Sequence, residues 1–245
     1  MPAHTGATEA GMAGDFAGRH VVVTGGTGAL GAAVVQDLVE RGAVCHLPVR
    51  GEPGDRFAGL PTDRVVWRAP VDLTDEPGVR AFYETVPELW ASVHCAGGFA
   101  MSPLSETSLD DLTAQWRINA VSAFLCCREA ARVMRAHGRG GRIVNVASRQ
   151  ALEPRIGSGM LAYSMSKAAI AALTQGLAEE LAADGIWVNA VVPSILDTPA
   201  NRQAMPKTDP SRWARVEDVA STIAFLASPR NGAGRGALVT VYAKT

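Results

Sequence analysis

Short apolar runs and longer stretches of helical periodicity alternate along nearly the whole chain. Residues 20–24 (HVVVT) make an apolar run of strand length, and the glycine-rich turn after it leads into 32–41, where Val35, Leu38 and Val39 recur at helical spacing. Gly42 predicts the end of that helix, and residues 43–49 predict a second strand. Residues 65–71 predict a third strand, 76–86 a helix and 91–96 a fourth strand. One long helical pattern covers 109–137 and stops at the glycine cluster of 138–141; residues 142–147 (RIVNVA) then predict a fifth strand. A second long helix is predicted over 161–183, with Ile170, Leu173, Leu177 and Leu181 along one stripe. Gly185 ends it, 186–192 predict a sixth strand, 216–227 a late helix and 237–242 a final strand.

Strands separated by helices predict an α/β fold: a doubly wound, Rossmann-type parallel sheet of about seven strands with helices on both faces. No repeat or linker interrupts the series, so residues 15–245 predict a single domain. Residues 1–14 (MPAHTGATEAGMAG) are small and polar and predict a disordered tail. They lack the basic start and apolar run of a secretory signal. Composition narrows the class further: 47% hydrophobic and 19% charged residues describe a globular chain. A net charge of −1 gives no reason to expect nucleic acid or an anionic membrane as partner. Cys45, Cys95, Cys126 and Cys127 lie in apolar settings, without metal-ligand spacing to histidine, and read as buried free thiols of a cytoplasmic protein. No metal site is expected.

Two constellations carry chemistry. Residues 24–31 read TGGTGALG, between a predicted strand and a predicted helix. Glycines there let the backbone approach a pyrophosphate while the helix N-terminus faces the anion. The second is Tyr163-x-x-x-Lys167 on a predicted helix, with Ser148 at the end of the preceding strand. A four-residue step puts Tyr163 and Lys167 on one helical face. A phenol with an ordinary pKa near 10 exchanges protons poorly at neutral pH, and a nearby ammonium is expected to lower that value. Ser148 can orient a carbonyl and stabilise charge developing on its oxygen.

From residue 18 onward, these motifs resemble the short-chain dehydrogenase/reductase family. The resemblance implies cofactor contacts from Gly25, Thr27, Gly28 and Leu30 in the first turn. Its loop reads T-G-x-x-G-x-x-G, with Ala29 where the family usually has its second glycine, a form similar to that of dihydropteridine reductases. The family's acidic position after the second strand falls on Val49, and Arg50 follows it, which favours NADPH over NADH. Asp72 matches the position that caps the adenine amino group, with Leu73 beside it; a turn or helix N-cap role fits Asp72 equally. Ala96 and Gly97 match the end of the family's N-N-A-G motif, and His94 and Cys95 replace its asparagines as strand-packing residues. Pro193, Leu196 and Thr198 stand in the segment that folds over the nicotinamide, while Asn119 matches an asparagine that kinks the long helix and serves the proton relay. Tyr163 and Lys167 are implied in both catalysis and cofactor binding.

Two C-terminal segments, 151–167 and 196–213, are also similar to dihydropteridine reductases, which generally lack the serine that stands here at Ser148. Met205 and Trp213 are candidates for substrate contact or for packing. The expectation is an NADPH-dependent reductase of a small ketone or aldehyde, with a pterin or other C=N reductase and a non-catalytic NADP-binding sensor as alternatives. The family's helix pairing and the apolar helix over 161–183 imply a homodimer or homotetramer.

Overall fold

The computed structural model describes residues 14–245. The predicted tail thus lies outside the described residues, apart from Gly14, whose carbonyl accepts a hydrogen bond from Ala17 N at 2.9 Å. The strands are β1 (His20–Thr24), β2 (Val44–Pro48), β3 (Val65–Arg68), β4 (Leu89–His94), β5 (Gly141–Val146), β6 (Ile186–Pro193), the two-residue pair β7 (Leu196–Asp197) and β8 (Ala214–Arg215), and β9 (Leu238–Val241). Seven of them form one parallel sheet in the order β3-β2-β1-β4-β5-β6-β9. The helices are α1 (Ala29–Glu40), α2 (Glu76–Tyr83), α3 (Leu109–Trp116), α4 (Ser122–His137), α5 (Arg149–Leu152), α6 (Leu161–Glu180), α7 (Pro199–Ala204) and α8 (Val216–Ala227).

Period-two alternation explains the two covered faces. Val21 and Val23 of β1 join Val34, Leu38 and Ile223 in the core under α1 and α8. Val22 points the other way, into a second core with Phe82, Met134 and Leu181 beneath α2, α4 and α6. Ile170 and Leu181 of the predicted stripe are buried, and Leu173 and Leu177 are packed partly exposed against the same core.

The chain departs from the sequence pattern in a few places. Helix α1 begins at Ala29, three residues earlier than predicted, because the extended Gly28 is its N-cap and Ala29 and Leu30 are good helix formers. Strand β3 ends at Arg68; Pro70, without an N–H, cannot extend the ladder. The predicted long helix is divided by a π-helical turn over Arg117–Val121. Helix α6 closes at Glu180, and a short 3-10 turn, Ala182–Asp184, completes the predicted span.

Candidate active site

The strand order reverses between β1 and β4, which are neighbours whose following segments leave in opposite directions. In such sheets ligands bind at the carboxyl ends of the strands, at this point of reversal. A cleft of about 460 Å³ lies there, lined by Gly25, Thr27, Val49, Arg50, Asp72, Leu73, Ala96 and Gly97 among others. Seven residues proposed from separate motifs therefore share one cavity. Gly25 has φ +65°, and a Cβ on it would fall 2.7 Å from Ala96 N, so the loop after β1 closes against the end of β4 only with glycine there. Thr24 Oγ1 accepts from Ala96 N at 3.2 Å and ties the same two strand ends. Gly28 caps α1 without a side-chain hydrogen bond, which leaves the first-turn amides free to face an anion.

Other candidates stand apart from this cleft. The Leu30 side chain is buried in the core, so its contribution to the loop is its backbone. Thr198 lines an adjoining cleft with Ala29, Ala32 and Pro199, and its hydroxyl caps α7 by accepting from Asn201 N at 3.2 Å. Leu196 pairs with Ala214 across the β7–β8 ladder, and Pro193 ends β6. Trp213 is buried and serves packing. Asp72 is exposed and builds a turn: its Oδ1 accepts from Thr74 N at 2.8 Å and from Thr74 Oγ1 at 2.9 Å. Those two bonds hold its carboxyl below the usual range, with smaller help from Arg50 and Arg117. The helix N-cap is Asp75, which accepts from Gly78 N.

The chemical end is buried. Lys167 Nζ donates to Val146 O at 2.9 Å, and desolvation lowers its pKa to about 8. Burial raises the Tyr163 phenol above its ordinary pKa, and Ser148 opposes that shift. The expected lowering by Lys167 is not found: its ammonium lies 5.9 Å from the ring centroid and bonds to the backbone, so desolvation prevails. Ser148 Oγ is buried without a hydrogen bond of good geometry, near enough to the phenol to ease its ionisation. A buried hydroxyl left in this way is costly unless a ligand oxygen or water completes it.

Asn119 accounts for the π-helical turn. Its Oδ1 accepts from Gly98 N at 3.0 Å, while Nδ2 donates to Gly98 O and to Ser166 Oγ, both at 3.0 Å. The side chain thus joins the loop after β4 to α6, one residue before Lys167, and the helix widens by a residue to reach it. A Cβ on Gly97 would lie 2.7 Å from Asn119 Oδ1 and 3.3 Å from Lys167 Nζ, so the cleft adjoins Asn119 and Lys167 there.

A family model for short chain dehydrogenases matches residues 19–209. The chain belongs to the short-chain dehydrogenase/reductase family. Members bind a nicotinamide cofactor, and the chain is an oxidoreductase acting on CH–OH or C=O groups. It is 36% identical over 242 residues to a cis-4-hydroxycyclohexanecarboxylate dehydrogenase of Sinomonas cyclohexanicum, covering 92% of this chain and 96% of that one. A short-chain type dehydrogenase/reductase from Mycobacterium ulcerans superposes with TM-score 0.85 at 26% identity, covering 94% and 90% of the two chains. A tyrosine-to-phenylalanine variant of ElxO, solved with NADPH bound, shares the fold at TM-score 0.84 and 24% identity over 92% and 98%.

This short-chain dehydrogenase/reductase carries features that its motifs did not announce. His94 is more than a packing residue. Asn145 Nδ2 donates to Thr174 Oγ1 at 2.9 Å, so its Oδ1 accepts from His94 Nδ1 at 2.8 Å. His94 Nε2 then accepts from Ser92 Oγ at 2.8 Å, which accepts from Tyr83 OH at 2.8 Å. The chain of bonds crosses α2, β4 and β5 and ends on α6, the helix that carries Tyr163 and Lys167. Phe99 was also missed; it is 59% exposed and meets the Tyr163 ring edge-on at 4.9 Å. Burial pushes the Cys45, Cys95 and Cys126 thiols up to about 12, so they stay protonated. No cluster able to hold a metal and no helix able to cross a membrane occurs among the described residues.

Proposed function

We propose that the protein reduces a small ketone or aldehyde with NADPH, Tyr163 giving the proton to the carbonyl oxygen. The observation that carries this reading is the partnerless buried Ser148 Oγ beside a phenol that burial keeps protonated. Ser148 would hold the substrate oxygen and stabilise charge arising on it; Tyr163 would release its proton there, with Lys167 and Asn119 restoring it. The nicotinamide supplies the hydride when bound. Gly25, Thr27, Gly28 and the Leu30 amide would face the pyrophosphate, Asp72 and Leu73 the adenine, Arg50 the 2′-phosphate, and Ala96 and Gly97 the adjoining ribose. Pro193, Leu196 and Thr198 would border the nicotinamide.

The relative named for a hydroxycyclohexanecarboxylate supports a ring-bearing alcohol/ketone pair, and exposed Phe99 offers an apolar edge beside Tyr163. The test is turnover of NADPH and NADH against cyclic ketones, aldehydes and a quinonoid dihydropterin. Preferred reduction of a ketone with NADPH is expected. Turnover of the pterin alone would replace the carbonyl reading, and tight NADPH binding with no turnover of any substrate would favour the sensor.

We further propose a homodimer or homotetramer. Trp116, Phe124, Leu161 and Met165 stand exposed on α3, α4 and α6, more apolar surface than isolated helices need. Light scattering should give at least twice the 25.6 kDa chain mass; a monomer at micromolar concentration would overturn the assignment.

A further inference from the structure

We propose that Arg56 is a second reader of the cofactor's 2′-phosphate, acting with Arg50; the inference rests on the NADPH reading above. The loop leaving β2 lines one end of the cleft with Val49, Arg50, Glu52 and Pro53, and Arg56 returns to the same wall from the short 3-10 turn Gly54–Phe57. In sheets of this type the end of the second strand is where the adenosine ribose is read. Two arginines six residues apart in sequence thus line the cleft where a 2′-phosphate would sit.

Neither forms an ion pair. Most surface arginines of this chain form ion pairs, such as Arg41 with Asp37 and Arg149 with Glu153. Among the described residues Arg50 and Arg56 have no carboxylate within 4.0 Å. Two acids of the adjoining cleft are already engaged. The adjoining cleft that Arg56 also lines contains Asp197 and Glu217, but Asp197 pairs with Arg202 at 2.6 Å and Glu217 with Arg215 at 3.5 Å. Asp72 bonds to Thr74 and keeps its charge, which Arg50 feels without forming an ion pair. Glu52 is the remaining carboxylate of the wall, and it would suit free ribose hydroxyls rather than a phosphate. Two unpaired forks on one wall suit a dianion, because planar guanidinium matches phosphate oxygens two at a time.

The test is calorimetric titration of NADPH, NADH, 2′,5′-ADP and 5′-AMP into the full-length protein and its Arg50→Gln, Arg56→Gln, double and Arg56→Lys variants. Arg56→Gln should weaken NADPH and 2′,5′-ADP about tenfold while NADH and 5′-AMP change less than about twofold, as expected for one exposed charge-assisted contact. The double variant should lose more than either single one, and Arg56→Lys should recover part of the loss. If the unaltered protein binds NADPH and 2′,5′-ADP no tighter than NADH and 5′-AMP, the NADPH reading itself falls. If it prefers the phosphorylated ligands and Arg56→Gln keeps that preference in full, Arg50 reads alone and this proposal is overturned. Equal weakening of all four ligands would also overturn it, since Arg56 would then be supporting the loop.

Discussion

The candidate cofactor cleft and the Ser148–Tyr163–Lys167 cluster beyond Gly97 treat charge in opposite ways. At the adenosine end Arg50, Arg56 and Asp72 are exposed, and the shift of the Asp72 carboxyl comes mainly from its turn hydrogen bonds. Water screens these groups, so they can contribute affinity and selectivity but have little power over protonation. At the chemical end Ser148 and Lys167 are buried and Tyr163 nearly so, and desolvation outweighs every local partner: it raises the phenol and lowers the ammonium to about 8. Residues at the open end should govern binding, and those at the closed end should govern rate.

That division can be broken by substitution. Tyr163→Phe keeps the ring and its edge contact with Phe99 but removes the transferable proton; kcat should fall about 10²–10⁴-fold with NADPH affinity unchanged. Ser148→Ala should cost about 10²-fold in ketone turnover, again without loss of cofactor affinity. Steady-state kinetics beside direct NADPH titration checks both, and full turnover by Tyr163→Phe would end its assignment as proton donor.

A smaller effect concerns stability beneath the closed end. Burial lowers the His94 pKa to about 4, so the folded protein keeps the ring neutral while an unfolded chain takes up a proton near the ordinary 6.5. Stability contributed above pH 6.5 should therefore be lost as pH falls toward 4, by up to about 3 kcal/mol for this residue. His46 is shifted in the same direction, to about 4, so the unaltered protein alone cannot isolate His94. His94→Asn should flatten the acid limb of urea midpoints; an unchanged slope would show that His94 does not hold the network neutral.

Much of this was legible in the residues. The alternation of apolar runs and helical stripes gave the parallel sheet, because side chains on both sheet faces had to be buried. Gly25, Thr27, Arg50, Asp72, Ala96 and Gly97 were each reached from the sequence and line one cleft. The segment after β6 was less legible: Thr198 faces the adjoining cleft and Trp213 is core, since a two-residue ladder, β7–β8, directs that stretch. The His94 chain could not be foreseen, because its partners come from four elements distant in sequence. Tyr163 shows a different limit. Helical spacing correctly put Lys167 near it, but spacing carries no measure of desolvation, and desolvation decides the sign of its shift.

The central claim is the proposed hydride delivery to a carbonyl carbon at the Ser148–Tyr163 cluster beside the cleft. Its most direct test uses NADPH carrying deuterium at the transferable position of the nicotinamide, with mass spectrometry of the product from the best ketone. One deuterium on the carbinol carbon of the alcohol, at a rate that Tyr163→Phe depresses at least about 10²-fold, is the expected result. Alcohol formed without deuterium on that carbon, or formed equally fast by Tyr163→Phe, would contradict the account.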